Sequence, residues 1–257
     1  MNRSRLNSLL LLSLSLAAAM PARALPLTPI IGGVFTNGDG ANSRWVQVVD
    51  DWRGSLYGNA PWGTGIWGLA DHAAVVGLGN GDTGVVQKLD TRVDQISFAD
   101  QHFIDAWGTT WASPRLAPIF GGGGGQDNWA VRFWGYLAIT EPGTYNFGIL
   151  YDDGFRFSLF GAGGAAQRIE VDGLNPRDRL GFAEDLWLSP GLYAYQLDAY
   201  DRLEAGAVQL AWSTPGGRGW SVVPQAALFT RAIPEPPLPL LLLAGLIAAG
   251  LATRQRG

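Results

Sequence analysis

The 257-residue chain contains no cysteine, a single lysine (Lys88) and only two methionines, Met1 and Met20. Without cysteine it cannot form a disulfide or a thiolate metal site, so it must hold together by burying a core, with or without the help of a metal ion. Glycine (36 residues) and proline (15) are abundant, which favours short elements joined by turns over long helices. Together with 11 Trp, 11 Phe and 7 Tyr, this composition predicts an all-β protein.

The first 24 residues have the pattern of a targeting segment. Arg3 and Arg5 precede an apolar run from Leu9 to Ala19, and the small residues Ala22 and Ala24 flank Arg23. This order is typical of a secretory signal peptide, and we expect cleavage after Ala24. The alternative, an N-terminal membrane anchor, is disfavoured because the apolar run is short for a bilayer span. The protein is therefore expected to be exported.

A second distinctive segment, 232–257, ends the chain. Pro234, Glu235 and Pro236 precede an apolar stretch, 238–252, and a basic end. As a helix rising about 1.5 Å per residue, the stretch falls short of a bilayer core of roughly 30 Å. The order resembles the PEP-CTERM sorting signal of Gram-negative bacteria. The resemblance implies a short hydrophobic helix that enters the inner membrane transiently, and cleavage at the sorting motif by an exosortase, after signal peptidase has acted. A retained anchor is the alternative.

Charge narrows the range of partners. The net charge of the full chain is −4, but five of its 18 basic residues lie in the two terminal segments, which hold at most one acid. The processed protein is then near −8 to −9, from the same residue counts. This charge argues against nucleic acid or an anionic lipid surface as a partner. It is compatible with a neutral glycan or a divalent cation.

Between the termini, apolar and polar residues alternate with the period of half-buried β-strands. Trp129, Val131 and Phe133 share one face, and a second such run begins at Tyr145 after the turn sequence EPGTY. We also expect Trp134 and Trp212 to be buried. The segments WAVRFWGYLAITEPGTYNFGILYDDGFRFSLFG (129–161), LSPGLYAYQLDAYDRLEAGAVQLAWSTPGG (188–217) and VVPQAALF (222–229) together resemble the PA14 domain. The resemblance implies a β-sandwich or barrel over 51–231, with 25–50 packed on it.

Two adjacent aspartates, Asp152 and Asp153, followed by Gly154, form the candidate site. On one interpretation they make a turn, with Gly154 at positive φ. On the other, which the resemblance to the lectin branch of the PA14 family implies, they bind one Ca²⁺ through a cis peptide bond, and the ion contacts sugar hydroxyls. Calcium prefers 6–8 oxygen ligands, so further partners are required. In the family's second loop, here 200–208, Asp201 or Glu204 would supply them.

No catalytic motif accompanies this pair. The two histidines, His72 and His102, belong to no metal-binding or hydrolase pattern, and we expect each to be an ordinary loop or surface residue. We therefore predict a non-catalytic, exported protein that binds carbohydrate, with calcium as the expected cofactor, at the cell surface or in an exopolysaccharide or biofilm matrix. The alternatives are a structural envelope protein without a small ligand and an accessory module of a glycan-processing enzyme.

Overall fold

A computed structural model describes residues 27–52, 64–106, 113–120, 126–174, 179–217 and 219–232, of which 179–184 are described by their backbone alone. The predicted signal peptide (1–24), the sorting motif Pro234–Pro236 and the apolar stretch 238–252 lie outside the described residues. No helix in the described part of the chain is long and apolar enough to cross a bilayer.

Strands make up most of the described chain. In this part of the chain the α-helices are α1 (Leu69–Val75) and α2 (Gln101–Ala106), and two short 3-10 helices span Ala162–Gly164 and Gln225–Ala227. The strands are β1 (Ile31–Gly32), β2 (Ala41–Val48), β3 (Val85–Val93), β4 (Ser97–Ala99), β5 (Arg115–Leu116), β6 (Trp129–Ile139), β7 (Gly143–Asp152), β8 (Gly154–Phe160), β9 (Ala166–Val171), β10 (Arg179–Leu188), β11 (Gly191–Asp201), β12 (Ala207–Ser213), β13 (Ser221–Val222) and β14 (Leu228–Phe229). This content confirms the predicted all-β class.

The strands form two sheets. The larger has the order β3-β2-β6-β11-β8-β9, with β1 added to β11 and β14 added to β6. The smaller has the order β10-β7-β12-β4-β5, with β13 added to β12. Neighbouring strands run antiparallel except β4 and β5. The chain passes from the smaller sheet to the larger between β7 and β8, where the aspartate pair lies.

The core lies between the two sheets and is rich in aromatic side chains. Trp45 of β2 contacts Phe98 of β4 with 5.5 Å between ring centroids, and Phe147 of β7 lies 5.4 Å from Phe157 of β8. Each contact joins one sheet to the other. The alternation expected from Tyr145 onward is confirmed, because Tyr145 and the alternate residues as far as Tyr151 are buried in this core.

Trp134 corrects the expectation that it is buried. It lies on β6 next to the buried Phe133, and strand alternation turns it to the outer face, where it is 36% exposed. Trp212 is only half-buried at the edge of the core, where its ring lies 5.8 Å from that of Tyr145. The alternate faces are therefore as expected. Trp134 lies outside the core, whereas Trp212 packs against the core but is not fully buried.

The N-terminal segment supplies strands of the larger sheet. The predicted arrangement had 25–50 packed on the domain, whereas β2 is hydrogen-bonded between β3 and β6. In β2, Trp45 faces the core, while Val46 faces outward under α1. Because these faces alternate, β2 is buried on both sides over part of its length. A segment packed on the outside of the domain would be buried on one side only.

His72 also differs from the sequence-based expectation. It lies on α1, which packs its apolar residues on the outer face of the larger sheet. His72 is 1% exposed; its Nε2 lies 2.8 Å from the carbonyl oxygen of Val131 and 3.8 Å from Oδ1 of Asp198. Burial lowers the pKa of His72. His102, on α2, is exposed as expected.

Candidate functional site

Acidic residues from separate parts of the chain meet at one end of the sandwich. In the smaller sheet, Asp152 at the end of β7 lies opposite Ala207 at the start of β12. On its other side Ala207 pairs with Ala99, the residue before Asp100. The ends of β7 and β4 therefore flank the same residue, which brings Asp152 and Asp100 to one edge.

The larger sheet adds two more carboxylates at the same end. Asp201 ends β11 and lies opposite Trp129, the first residue of β6, and Asp127 precedes Trp129 by two positions. One carboxylate oxygen each from Asp100, Asp127 and Asp201 lies within 4.8 Å of the others. Such spacing lets a single ion contact three of these groups.

The aspartate pair forms the connection between the two sheets. The peptide bond between Asp152 and Asp153 is cis, as the resemblance implied. Asp152 is 4% exposed and Asp153 is 7% exposed. The amide of Asp153 donates to the carbonyl oxygen of Tyr200 at 2.8 Å, and Oδ2 of Asp153 accepts from the amide of Arg202 at 2.8 Å. These bonds fix the pair against the residues on either side of Asp201.

Gly154 is required for a different reason from the one predicted. Its φ lies outside the left-handed region, so the interpretation of this site as a turn with Gly154 at positive φ is wrong. Gly154 begins β8 directly opposite Tyr200. A β-carbon there would overlap the hydroxyl end of the Tyr200 ring, which donates a hydrogen bond to Gly173 O at 2.7 Å. Glycine therefore makes room for this tyrosine.

Among the described residues, Asp201 has no hydrogen-bond partner for its carboxylate. Its side chain is fully buried, and neither carboxylate oxygen has a hydrogen-bond partner in the described part of the chain. Oδ1 of Asp127 is likewise buried without a partner there. By contrast, Asp100 accepts from the amide of Phe103 at 2.7 Å and from the amide of Gly206. An unpartnered buried carboxylate costs several kcal/mol, so this arrangement requires a proton or a cation.

The pKa values of these carboxyl groups also indicate uncompensated negative charge. Burial, and then repulsion by Asp153, Asp100, Asp127 and Asp152, raise the pKa of Asp201 well above its usual range. Burial raises the pKa of Asp100 to about 6, although its backbone hydrogen bonds oppose the shift. Burial also raises the pKa of Asp127. The fold thus concentrates more negative charge here than it neutralises.

Arg202 follows Asp201 and is a buried cation, but its guanidinium group is directed to other partners. Its Nε donates to the carbonyl oxygen of Thr64 at 2.7 Å, and its Nη1 lies 3.6 Å from Oδ1 of Asp50. In the described residues it makes no ion pair with Asp100, Asp127, Asp152, Asp153 or Asp201, which together form the acidic cluster. It therefore anchors the loop after β11 and leaves the cluster negative.

Among the predicted site residues, Asp152 and Asp153 lie near Asp201, because Asp153 is hydrogen-bonded to the residues on both sides of it. In the described part of the chain, the carboxylates whose oxygens lie within 4.8 Å of one another are Asp100, Asp127 and Asp201. The side chain of Glu204 is exposed and does not join them, while its carbonyl oxygen lies 3.0 Å from Nδ1 of His102. Sequence reasoning missed Asp100 and Asp127. Each is a single acid beside a strand, and only the approach of its carboxylate to Asp201 in the folded structure distinguishes it.

A surface pocket of about 460 Å³ opens beside the acidic end. It is lined by His102, Asp105, Ala106, Glu204 and Ala205. Two of these residues belong to the loop between β11 and β12, the loop that also holds Asp100 through Gly206. A ligand in this pocket would therefore contact the loop that follows Asp201.

No protein-family model matches the chain, and no curated protein matches it. Among solved structures, the A domain of epithelial adhesin 6 from Candida glabrata, in complex with Galβ1-3GlcNAc, is 14% identical with a TM-score of 0.51, over 81% of this chain and 93% of that one. The PA14 domain of the MpAFP antifreeze protein is 17% identical with a TM-score of 0.48, over 77% of this chain and 95% of that one.

A longer similar structure is an anti-sigma factor domain-containing protein from Clostridium clariflavum, 21% identical with a TM-score of 0.45 over 82% of this chain. This chain spans 53% of that protein's length. At these identities, the likeness to the adhesin domain shows the fold alone. With the two-sheet topology it confirms the expected PA14-like, all-β fold class.

Proposed function

We propose that the protein is an exported, non-catalytic carbohydrate-binding protein in which a Ca²⁺ ion at the acidic end of the sandwich contacts the sugar. Asp152, Asp153 and Asp201 are the proposed ligands, with Asp127 and the outer lone pairs of Asp100 completing the oxygen shell. The observation that carries the proposal is Asp201, whose two carboxylate oxygens are buried without a hydrogen-bond partner among the described residues.

Calcium fits this donor set better than a transition metal. All of the proposed ligand atoms are oxygens, which hard cations prefer, and neither histidine belongs to the cluster. The carboxylates come from loops and strand ends and not from a rigid octahedral cage, which suits the flexible coordination of Ca²⁺ better than that of Mg²⁺. A bound dication would also reduce the repulsion that raises the pKa of Asp201.

Carbohydrate binding rests on two further observations. The pocket beside the cluster is open to solvent. Its volume of about 460 Å³ lies within the usual range for small-molecule sites, about 300–1,000 Å³. The adhesin domain with the same fold was solved with a disaccharide bound. A Ca²⁺ ion held by the carboxylates beside the pocket would complete its shell with hydroxyl oxygens of the bound sugar.

A glycan array with matched variants tests this function. We expect the wild-type protein to bind at least one class of glycan only in calcium and to lose this calcium-dependent binding in EDTA. Asp152→Asn and Asp201→Asn should each lose the calcium-dependent binding and calcium uptake, whereas Asp90→Asn should keep both, because Asp90 lies on the exposed side of the larger sheet in an ion pair with Arg44. Calcium uptake without glycan binding would favour the structural alternative, and neither activity would reject the site.

Export and surface location are also proposed here, from the sequence of the two terminal segments. The mature protein is proposed to begin at Leu25, after signal-peptidase cleavage, and to be released at the sorting motif Pro234–Pro236 by an exosortase. Intact-mass measurement of protein recovered from the native host tests both sites of cleavage. A mature mass that includes Gly257 would contradict sorting, and one that includes Met1 would contradict export.

A further inference from the structure

The outer face of the larger sheet carries ordered rows of side chains. Strand register aligns six residues across the six main strands: Asp90, Arg44, Arg132, Asp198, Arg156 and Glu170. Their charges are paired within the row. Nε of Arg44 lies 2.7 Å from Asp90, Nε of Arg132 lies 2.7 Å from Asp198, and Nε of Arg156 lies 2.6 Å from Glu170.

The next row along the same face is different. It consists of Arg92, Asn42, Trp134, Gln196, Ser158 and Arg168. Its four central positions are uncharged. Trp134 lies at its middle on β6, a strand paired on both sides, so the exposed indole is not at a sheet edge.

Hydrogen bonds hold the neighbours of Trp134 in place. Nδ2 of Asn42 donates to Thr230 O at 2.8 Å, and Nε2 of Gln196 donates to Oδ2 of Asp198 at 2.8 Å. Asn42 and Gln196 lie directly opposite Trp134 on the two flanking strands. The indole therefore lies between two positioned amide groups, one of which, Gln196, accepts no hydrogen bond at its Oε1 from the described residues.

Other described parts of the chain cover both sides of this row. Within the row Ser158 is buried, whereas Trp134 at the middle is 36% exposed. Toward the acidic end, α1 packs over Val46, Ala130 and Tyr200. Toward the other end, Ile31 and Phe35 pack against Ala138, Leu192 and Phe229. The strip between these two covers crosses six strands, roughly 24 Å at a spacing of about 4.8 Å per strand.

A depression of about 380 Å³ lies on the strip, and its lining includes Trp134, Tyr136, Phe160, Gln196 and Arg231. Three of these residues are aromatic, and they adjoin one another in neighbouring rows of the sheet. A single exposed tryptophan needs no explanation, but aromatic rings beside amide and guanidinium donors form an amphipathic surface. Pyranose rings have this character, with apolar C–H faces and polar edges.

We propose that this strip is a second carbohydrate-binding site, independent of the cation site, which takes a chain of neutral pyranose sugars with one ring stacked on Trp134. Neutral sugar fits because the charges of the neighbouring row are already paired and the four central positions of the Trp134 row are uncharged. Gln196 supplies a hydrogen-bond acceptor and Arg231 a donor at the edge of the stacked ring. A strip of this length accommodates several sugar units and so fits a polysaccharide.

The test is affinity electrophoresis of the full-length protein in EDTA, which removes any contribution of bound calcium. Dextran, galactan and glucomannan serve as neutral polymers and polygalacturonate as a charged comparison. We expect at least one neutral polymer to retard the protein, and Trp134→Ala to weaken binding about tenfold or more. Trp134→Phe should keep most of the affinity, because a ring remains available for stacking.

Trp187 offers a matched control, because it is 57% exposed but lies on β10, the edge strand of the smaller sheet. Trp187→Ala should leave retardation unchanged. Asp152→Asn should also leave it unchanged, which separates this site from the cation site. The proposal is overturned if no neutral polymer retards the protein, if polygalacturonate alone does so, or if Trp134→Ala binds as well as the wild type.

Discussion

Asp201→Asn gives the sharpest test of the acidic cluster, because it has opposite effects with and without calcium. In the wild type, an ion that binds only the folded protein adds RT ln(1 + [L]/Kd) to the free energy of unfolding, about 2.7 kcal/mol at a hundredfold excess over Kd. For a domain of this size, 1 kcal/mol shifts Tm by about 2–4 °C. Saturating calcium should therefore raise the wild-type Tm by about 5–11 °C.

The variant should lose this increment, since it removes one of the carboxylates and a full negative charge. In EDTA, however, its Tm should lie above that of the wild type. Asp201 is buried and repelled by Asp153, Asp100, Asp127 and Asp152, so neutralising it relieves a cost that the metal-free protein bears at neutral pH.

Differential scanning fluorimetry in EDTA and in millimolar CaCl₂ measures both effects. Asp90→Asn is the control, because it removes an exposed partner of Arg44 at a cost of about 0–1 kcal/mol and should keep the calcium increment. Two results would refute the reasoning: a calcium increment that survives in Asp201→Asn, or a variant that melts below the wild type in EDTA.

Three further outcomes are expected. In EDTA, the free energy of unfolding should fall as the pH rises from about 4 to 6. The pKa of Asp100 is raised in the folded state, so the folded protein binds more protons than the unfolded protein over this interval. Urea titrations at several pH values measure this fall. Trp129→Ala should cost about 3–5 kcal/mol in urea unfolding, whereas Trp134→Ala should cost less than about 1 kcal/mol, because Trp129 is fully buried and Trp134 is 36% exposed. Gly154→Ala should cost about 1–3 kcal/mol by displacing Tyr200, and equal stability would mean that the ring moves freely.

The fold could be predicted from sequence to the extent that it depends on local alternation. Phe147 and Ile149 face the core because every second residue of β7 is apolar, and that pattern is visible in the chain. The position of α1 could not be predicted in this way. Its seven residues are too few to show a helical period, and what buries His72 is a sheet face formed by distant strands.

Part of the candidate site could likewise be predicted from the sequence, and part could not. Asp152 and Asp153 are noticeable because two carboxylates stand together after a strand, and the resemblance to a known domain gave them a role. Asp100 and Asp127 carry no comparable signal, because their approach to Asp201 depends on the register of β4, β6 and β11. The need for glycine at 154 likewise arises from Tyr200, a residue 46 positions away in the numbering, which faces it across the sheet.

An ion in the cluster would do for this protein what a disulfide does elsewhere. Asp100, Asp127, Asp152 and Asp201 come from four separate parts of the chain, in a sequence without cysteine. A metal bridge between them would restrain the loops that carry them. We therefore expect EDTA to increase amide hydrogen exchange at this end of the sandwich, first at Asp153.

Hydrogen exchange can test that restraint residue by residue. The amides of Asp153 and Arg202, which bond Tyr200 O and Asp153 Oδ2, should lose protection in EDTA. The amide of Ile30, which donates to Leu192 O at 2.8 Å near the opposite end of β11, should not change. Equal loss at both ends would mean that calcium stabilises the domain as a whole. No loss at Asp153 would mean that the strand ends stay closed on their own hydrogen bonds and that the carboxylates are held there without a metal.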